Sequence, residues 1–300
     1  MTDTDRREAY LVDAFTTDHF AGNPAGVVPD GDDLDADQMR AIAAELGASE
    51  TVFVQETDDA DRRLRYFTPE REVDLCGHAT IAVHAMLFED GVVETSTQTI
   101  LTAAGELTVE IETDGTVWLG GSEPSVQVVD VTYDELGDAL GVSETAFAGV
   151  GEDLPVARAS TGMPFLIVPV NYFEQLGEID PDLGTIESVS EREDVAGIYA
   201  FTFDTLDRES TVHGRLFAPA VGVPEDPVTG TASGAVGAYL RRFSGLDDTT
   251  FRCEQGAFLD RPGRVRVRTD DEIRVGGRAV TTMCGEIPLP DSEDGEILEA

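Results

Sequence analysis

Asp74-Leu75-Cys76-Gly77-His78-Ala79-Thr80-Ile81-Ala82-Val83-His84 decides the reading, because the chain contains this pattern twice. Its echo is Thr229-Gly230-Thr231-Ala232-Ser233-Gly234-Ala235-Val236-Gly237. Each copy is a glycine turn, then small residues, then an apolar run that reads as a helix. Each also follows a matched strand-like entry, Arg65-Tyr66-Phe67-Thr68-Pro69 in the first and Arg215-Leu216-Phe217-Ala218-Pro219 in the second. A helix opened by glycine presents backbone N–H groups that have no intrahelical partner, at the positive end of its dipole. Such an end binds anions. Two of them, one from each half, predict a grip on a small carboxylate.

Working outward, further segments repeat in the same order. Thr161-Gly162-Met163-Pro164 follows Gly22-Asn23-Pro24 at an offset of 140 residues, and Ile198–Phe203 follows Ala48–Phe53 at 150. The Arg-x-Phe-x-Pro segments are also 150 apart, and Gly77 and Gly230 are 153 apart. Ordered self-similarity of this kind is the mark of an internal duplication. Strands are expected over Ala9–Phe15, Ser49–Val54, Leu64–Phe67, Thr99–Ile111, Val117–Gly120, Phe251–Phe258, Arg264–Val267, Arg274–Val275 and Ala279–Met283. The last two before Pro124 form a hairpin around Asp114-Gly115. Helices are expected over Leu34–Leu46, stopped by Gly47, from the first glycine turn to about Glu89, and over Tyr133–Leu140. The helix after Gly77 is apolar or small nearly all round, as a buried helix must be. The fold class is therefore α+β: two pseudo-symmetric lobes, each a mostly antiparallel sheet wrapped around a central helix. The N-terminal lobe covers 1–124, completed by a C-terminal strand from about 275–290; the C-terminal lobe covers 125–274; 291–300 reads as an acidic disordered tail.

Composition excludes several functions. The net charge is −40, with 60 Asp and Glu against 20 basic residues, all of them Arg. Nucleic acid and anionic membranes need basic patches and are excluded as partners. Without lysine the chain holds neither a pyridoxal phosphate Schiff base nor a P-loop. Cys76, Cys253 and Cys284 are odd in number and widely spaced, which fits a reducing, cytoplasmic setting and no disulfide framework. The start shows no apolar signal region and no run is long enough to span a membrane. The four His, at 19, 78, 84 and 213, include no pair at ligand spacing, so no metal and no other cofactor is expected.

The duplication lets the halves be compared. Where the first half carries Glu50 in the strand Thr51-Val52-Phe53-Val54, the second is read as carrying Ala200. Thr229 stands for Cys76 and Thr231 for His78. The acid pair Glu225-Asp226 falls in a three-residue insertion before the second turn. One Glu, one Asp, one His and one Thr thus form an asymmetric acid/base set in a cleft between halves. Glu50, beside an apolar strand, is partly desolvated and suited to accept a proton. With Thr229 opposite Cys76, a two-thiol racemase is disfavoured, and Cys76 reads as a buried structural thiol.

At these residues the chain resembles the phenazine-biosynthesis isomerase (PhzF-like) family, relatives of diaminopimelate epimerase with its two-lobed fold. The motifs that carry the resemblance are Phe20-Ala21-Gly22-Asn23-Pro24-Ala25-Gly26-Val27, Ser49-Glu50-Thr51-Val52-Phe53, Val73-Asp74-Leu75-Cys76-Gly77-His78-Ala79-Thr80 and Pro224-Glu225-Asp226-Pro227-Val228-Thr229-Gly230-Thr231-Ala232. They span about residues 9 to 288. The resemblance implies a cofactor-free isomerase, a homodimer, with a proton moved by Glu50 and with substrate contacts at Gly77, His78, Asp226 and Gly230. Thr231 stands where family members carry Ser and keeps the hydroxyl. The expected reaction is a proton shift on a small carboxylate, with Glu50, His78 and Asp226 catalytic and Gly77, Gly230 and Thr231 binding. Alternatives are a racemase or epimerase using Glu50 and Asp226, and a non-catalytic small-acid-binding dimer.

A surface this acidic repels itself unless salt screens it, to within about 3 Å at 1 M. The thermal midpoint is expected to rise as sodium chloride is raised from tens of millimolar to molar. An unchanged midpoint across that range would contradict the reading.

Overall fold

The computed structural model describes residues 6–121, 123–150 and 154–290, so the acidic tail expected over 291–300 lies outside the described residues. In chain order the elements of the first half are β1 (Arg6–Ala14), β2 (Asn23–Val28), α1 (Ala36–Leu46), β3 (Glu50–Gln55), β4 (Arg62–Phe67), β5 (Glu72–Val73), α2 (Gly77–Glu89), β6 (Ser96–Thr102), β7 (Gly105–Ile111) and β8 (Val117–Gly120). Then come β9 (Ser125–Val128), α3 (Tyr133–Leu140), β10 (Ala157–Ser160), β11 (Pro164–Pro169), α4 (Phe173–Gly177), α5 (Leu183–Glu193), β12 (Ile198–Thr202), β13 (Val212–Ala218), β14 (Val223–Asp226), α6 (Gly230–Phe243), β15 (Thr250–Gln255), β16 (Gly263–Arg268) and β17 (Arg274–Gly277). The strand β18 (Ala279–Pro288) closes the described chain. No described helix is long and apolar enough to cross a membrane.

The chain divides into two compact units. Unit 1 holds residues 6–20, Pro24–Leu119 and 278–290; unit 2 holds Ala21–Asn23 and Gly120–Gly277. Within unit 1, β18 pairs antiparallel with β1 and β1 pairs with β2. From there β2 runs parallel to β3, β3 antiparallel to β4, β4 parallel to β6, and β6–β7–β8 form an antiparallel meander. Unit 2 repeats this scheme: β9–β10–β11 antiparallel, β11 parallel to β12, β12 antiparallel to β13, β13 parallel to β15, then β15–β16–β17 antiparallel. Each parallel pair needs a crossover. α1 supplies one in unit 1 and α4 with α5 one in unit 2, while α2 and α6 supply the others.

Helix α2 is buried along Ala79–Leu87 and packs on β1, β3 and β18. Helix α6 is buried from Ala232 to Leu240 and packs on β9, β10, β11, β16 and β17. Inside α2 the wholly buried His84 hydrogen-bonds through Nδ1 to the Thr80 carbonyl at 2.8 Å, and burial pushes its imidazole down to about 4. It is a neutral core side chain. The other sheet face in unit 1 is covered by α1, whose Met39, Ile42 and Ala43 pack with Val28, Phe53 and Phe67. Asp35 and Gln38 form a capping box at its start, and Gly47 ends it in the left-handed conformation (φ 69°). In unit 2, α3 and α5 contribute Leu136, Leu140, Ile186 and Val189 to a core with Val168, Ala200 and Phe217.

The ladders correct the alignment of the halves. Thr51 lies opposite Gly26 and Phe67; Ile198 lies opposite Leu166 and Phe217. The counterpart of Thr51 is therefore Ile198, and that of Glu50 is Gly197. Ala200 matches Phe53, which explains why both sit in the core beneath the covering helices. The acid pair is not an insertion either. Asp226 lies opposite Leu216 as Val73 lies opposite Tyr66, so Asp226 replaces Val73 and Glu225 matches Glu72. The extra residues fall in the turn between Phe217 and Glu225. One further expectation fails: Thr99–Ile111 is two strands, β6 and β7, folded back at Ala103-Ala104, with Gly105 at φ 114°.

The matched Arg–Glu pair is built alike in both units. Arg65 donates two hydrogen bonds to Glu72 (2.7 and 2.8 Å) and lies over the Phe67 ring. Arg215 does the same to Glu225 (2.8 and 2.9 Å), over Phe217. The Arg65 hydrogen bonds hold the Glu72 carboxyl below its usual range, against the opposing effect of burial.

Gly197 is buried, and a Cβ there would stand 2.2 Å from the Phe217 carbonyl oxygen and 2.7 Å from the Ala218 Cα. These are backbone atoms in a paired ladder and have no room to yield. Gly197→Ala is expected to cost at least the ~1–3 kcal/mol of an overpacked core. A urea midpoint equal to that of the wild type would refute this.

Candidate functional site

In unit 1, strand alternation sends Phe53 toward α1, and so turns Glu50 and Val52 to the α2 side of the sheet. Glu50 opens β3 with a quarter of its side chain exposed. His78 is the second residue of α2, and its Nε2 stands 3.5 Å from Glu50 Oε2. Cys76 is the N-cap, extended at φ −134°, ψ 115°, and its side chain makes no cap hydrogen bond. Its Sγ instead lies 3.4 Å from His78 Nδ1 and 3.9 Å from Nε2. Cys76 is buried, at 8% exposure, as expected, and donor atoms of Glu50, Cys76 and His78 all lie within 4.8 Å of one another. At Gly77 a Cβ would meet nothing within 4 Å, so the backbone at the helix start borders open space.

In unit 2 the same helix start is dressed differently. Thr229 takes the place of Cys76 with nearly the same backbone (φ −116°, ψ 107°) and likewise leaves α6 without a side-chain cap. Behind it, Ser233 Oγ donates to the Thr229 carbonyl as Thr80 Oγ1 donates to that of Cys76. The Thr229 hydroxyl donates to Asp226 Oδ2, and Asn23 Nδ2 donates to Asp226 Oδ1 at 3.0 Å. Both carboxylate oxygens of Asp226 therefore accept hydrogen bonds. Gly230 is buried and Thr231 half-buried, with the Thr231 carbonyl accepting from Thr161 Oγ1.

Two positioning residues escaped the sequence reading. Asn23 is buried and spans from Asp226 to the Val228 carbonyl (2.8 Å). Gln255, at the end of β15 and equally buried, donates to the Asp226 carbonyl (2.7 Å) and the Thr229 hydroxyl (3.2 Å) and accepts the Thr229 N–H (3.1 Å). Asn23 sat in a quoted motif, in a turn where asparagine is unremarkable; Gln255 carried no local signal. Within each unit the residues singled out do gather: Glu50, Gly77 and His78 in unit 1, and Asp226, Gly230 and Thr231 in unit 2.

Gln255→Ala removes two hydrogen bonds that the amide donates and one that it accepts, all of them part-buried. It is expected to cost about 1–3 kcal/mol, and to couple with Asn23→Ala in a double-mutant cycle because both hold one carboxylate residue. Urea denaturation of the two single variants and the double variant measures this. Strictly additive costs would show that the two amides act separately.

A family model described as phenazine biosynthesis-like protein matches residues 12–285. An uncharacterized isomerase of Bacillus subtilis, YfhB, is 40% identical over 283 residues, covering 93% of this chain and 94% of the relative. The uncharacterized isomerase YddE of Escherichia coli is 35% identical over 299 residues, covering 93% and 97%. Among solved structures, the phenazine biosynthesis protein of the PhzF family from Bacillus anthracis superposes with a TM-score of 0.86 at 33% identity, covering 94% of this chain and 99% of that one. A hydroxyproline epimerase from Agrobacterium vitis shares the fold at a TM-score of 0.59 and 15% identity, covering 97% and 95%. The match over most of the chain, in sequence and in fold, places it in the phenazine-biosynthesis-like (PhzF) family as an isomerase.

Proposed function

We propose that this isomerase moves a proton between carbon atoms of a small carboxylate-bearing substrate, with Glu50 as the acid/base and no cofactor. The observation that carries the reading is Glu50 Oε2, 3.5 Å from His78 Nε2, at the start of a buried helix bordered by open space at Gly77. The N–H groups of the first turn of α2 favour negative charge. Charge that develops on a substrate oxygen as carbon loses its proton is stabilised there. Glu50 takes that proton as a carboxylate and, now a carboxylic acid, returns it to a different carbon. His78 lies within reach of Glu50 and fixes the carboxyl in place.

A racemase needs a second group free to exchange protons with carbon. Asp226 is the other carboxylate, and both of its oxygens are engaged by Asn23 and Thr229. That engagement suits an acceptor fixed in orientation better than a proton carrier, and it favours the one-base isomerase.

The test is incubation of a panel of small carboxylic acids with the enzyme in deuterium oxide, read by mass spectrometry. Glu50→Gln keeps the shape of the side chain and removes its basicity. Solvent exchange into the turned-over acid is expected to fall by about 10²–10⁴-fold, while the thermal shift given by that acid persists. If Glu50→Gln keeps exchange and Asp226→Asn loses it, Asp226 is the base.

A further inference from the structure

The three donors around the start of α2 have a second chemistry. We propose that Glu50, Cys76 and His78 form a binding site for a thiophilic divalent cation such as zinc, and that its occupancy silences Glu50.

Zinc takes thiolate sulfur at about 2.3 Å and imidazole nitrogen or carboxylate oxygen at about 2.0–2.2 Å, in a tetrahedron. Those bond lengths put neighbouring donor atoms about 3.3–3.6 Å apart. Here His78 Nε2 stands 3.5 Å from Glu50 Oε2 and 3.9 Å from Cys76 Sγ, and the three donors fit within 4.8 Å. No separation in the set exceeds 4.8 Å, so side-chain rotations that move a donor by about 1 Å close it.

The donors come from elements already fixed: β3 supplies Glu50, and the N-cap and first turn of α2 supply Cys76 and His78. Little conformational freedom is left to lose on binding. One sulfur, one nitrogen and one oxygen select a borderline or soft cation over magnesium or calcium, which prefer all-oxygen shells. The fourth position of the tetrahedron is left to water. Unit 2 has Gly197, Thr229 and Thr231 at the three matching positions and no such donor set.

Ligation draws the lone pairs of Glu50 into a metal bond and releases the Cys76 thiol proton to solvent, so affinity rises with pH. The blocking effect rests on Glu50 being the base, as proposed above; the site itself does not.

Cobalt(II) serves as the probe, because its bond to a thiolate gives a charge-transfer band in the near ultraviolet. Titration of the full chain is expected to saturate the band at one equivalent and to release about one proton per metal. Cys284→Ser, which removes the exposed thiol, is expected to leave the band unchanged. Cys76→Ser, whose folding is checked by its thermal midpoint, is expected to abolish it. His78→Ala is expected to weaken binding at least tenfold, the loss that even an outer-shell partner of a metal causes. No band at stoichiometric metal, a band that survives Cys76→Ser, or a band lost with Cys284→Ser would overturn the site. A normal band with undiminished deuterium exchange would leave the site standing and overturn the silencing of Glu50.

Discussion

The structure depends on hiding two helices that have no polar face. In α2 nine consecutive residues, Ala79–Leu87, are buried, so the sheet of unit 1 must close around it. Burial of that length removes the helix from solvent everywhere except its ends. The end that opens with Gly77 is where the backbone is both polar and accessible. The core therefore dictates where the helix presents its unpaired backbone N–H groups. Glu50 and His78 then need only occupy the nearest strand end and the nearest helix turn.

The duplicated halves show what the fold keeps and what function changes. Both units keep the bidentate Arg–Glu pair over a phenylalanine, although one pair is more exposed than the other. Arg215 goes further, donating to the Leu176 and Ile179 carbonyls and lying over Phe258, so it ties α4 and its following turn to the sheet. Both units also keep the hydroxyl behind the helix start, Thr80 and Ser233. At the helix start the halves diverge in what faces outward: a thiol, an imidazole and a carboxylate in unit 1, and hydroxyls with a clamped carboxylate in unit 2. Architecture that brackets the helix has been preserved, and chemistry at its tip has not.

Much of this was legible in the sequence because it is local. The glycine starts, the apolar helices, the stop at Gly47 and the hairpin at Asp114-Gly115 each carry their cause within a few residues. Four things were not. Helix α5 offers just Ile186 and Val189 with Leu183 as an apolar stripe, too sparse to stand out, and its start is fixed by Asp182 accepting the Thr185 N–H. The turn at Ala103-Ala104 uses residues that equally continue a strand. The three-residue error that set Glu50 against Ala200 arose because apolar strands slide past one another in a pattern match, while hydrogen-bonded register does not. The Asn23–Asp226 contact joins residues 203 apart, and no local signal reports such a pairing.

The glycine opposite Glu50 in the duplicated scheme makes the asymmetry one-way. A gene that doubles starts with two equivalent halves, either able to take up a new role. Once Gly197 lies against the Phe217 carbonyl, no side chain fits at that position without moving the neighbouring strand. Single substitutions can still alter or abolish the acid in unit 1, yet none can raise its twin in unit 2. Descent from this ancestor is thereby channelled: the half that carries an acid at the start of this strand stays the same half.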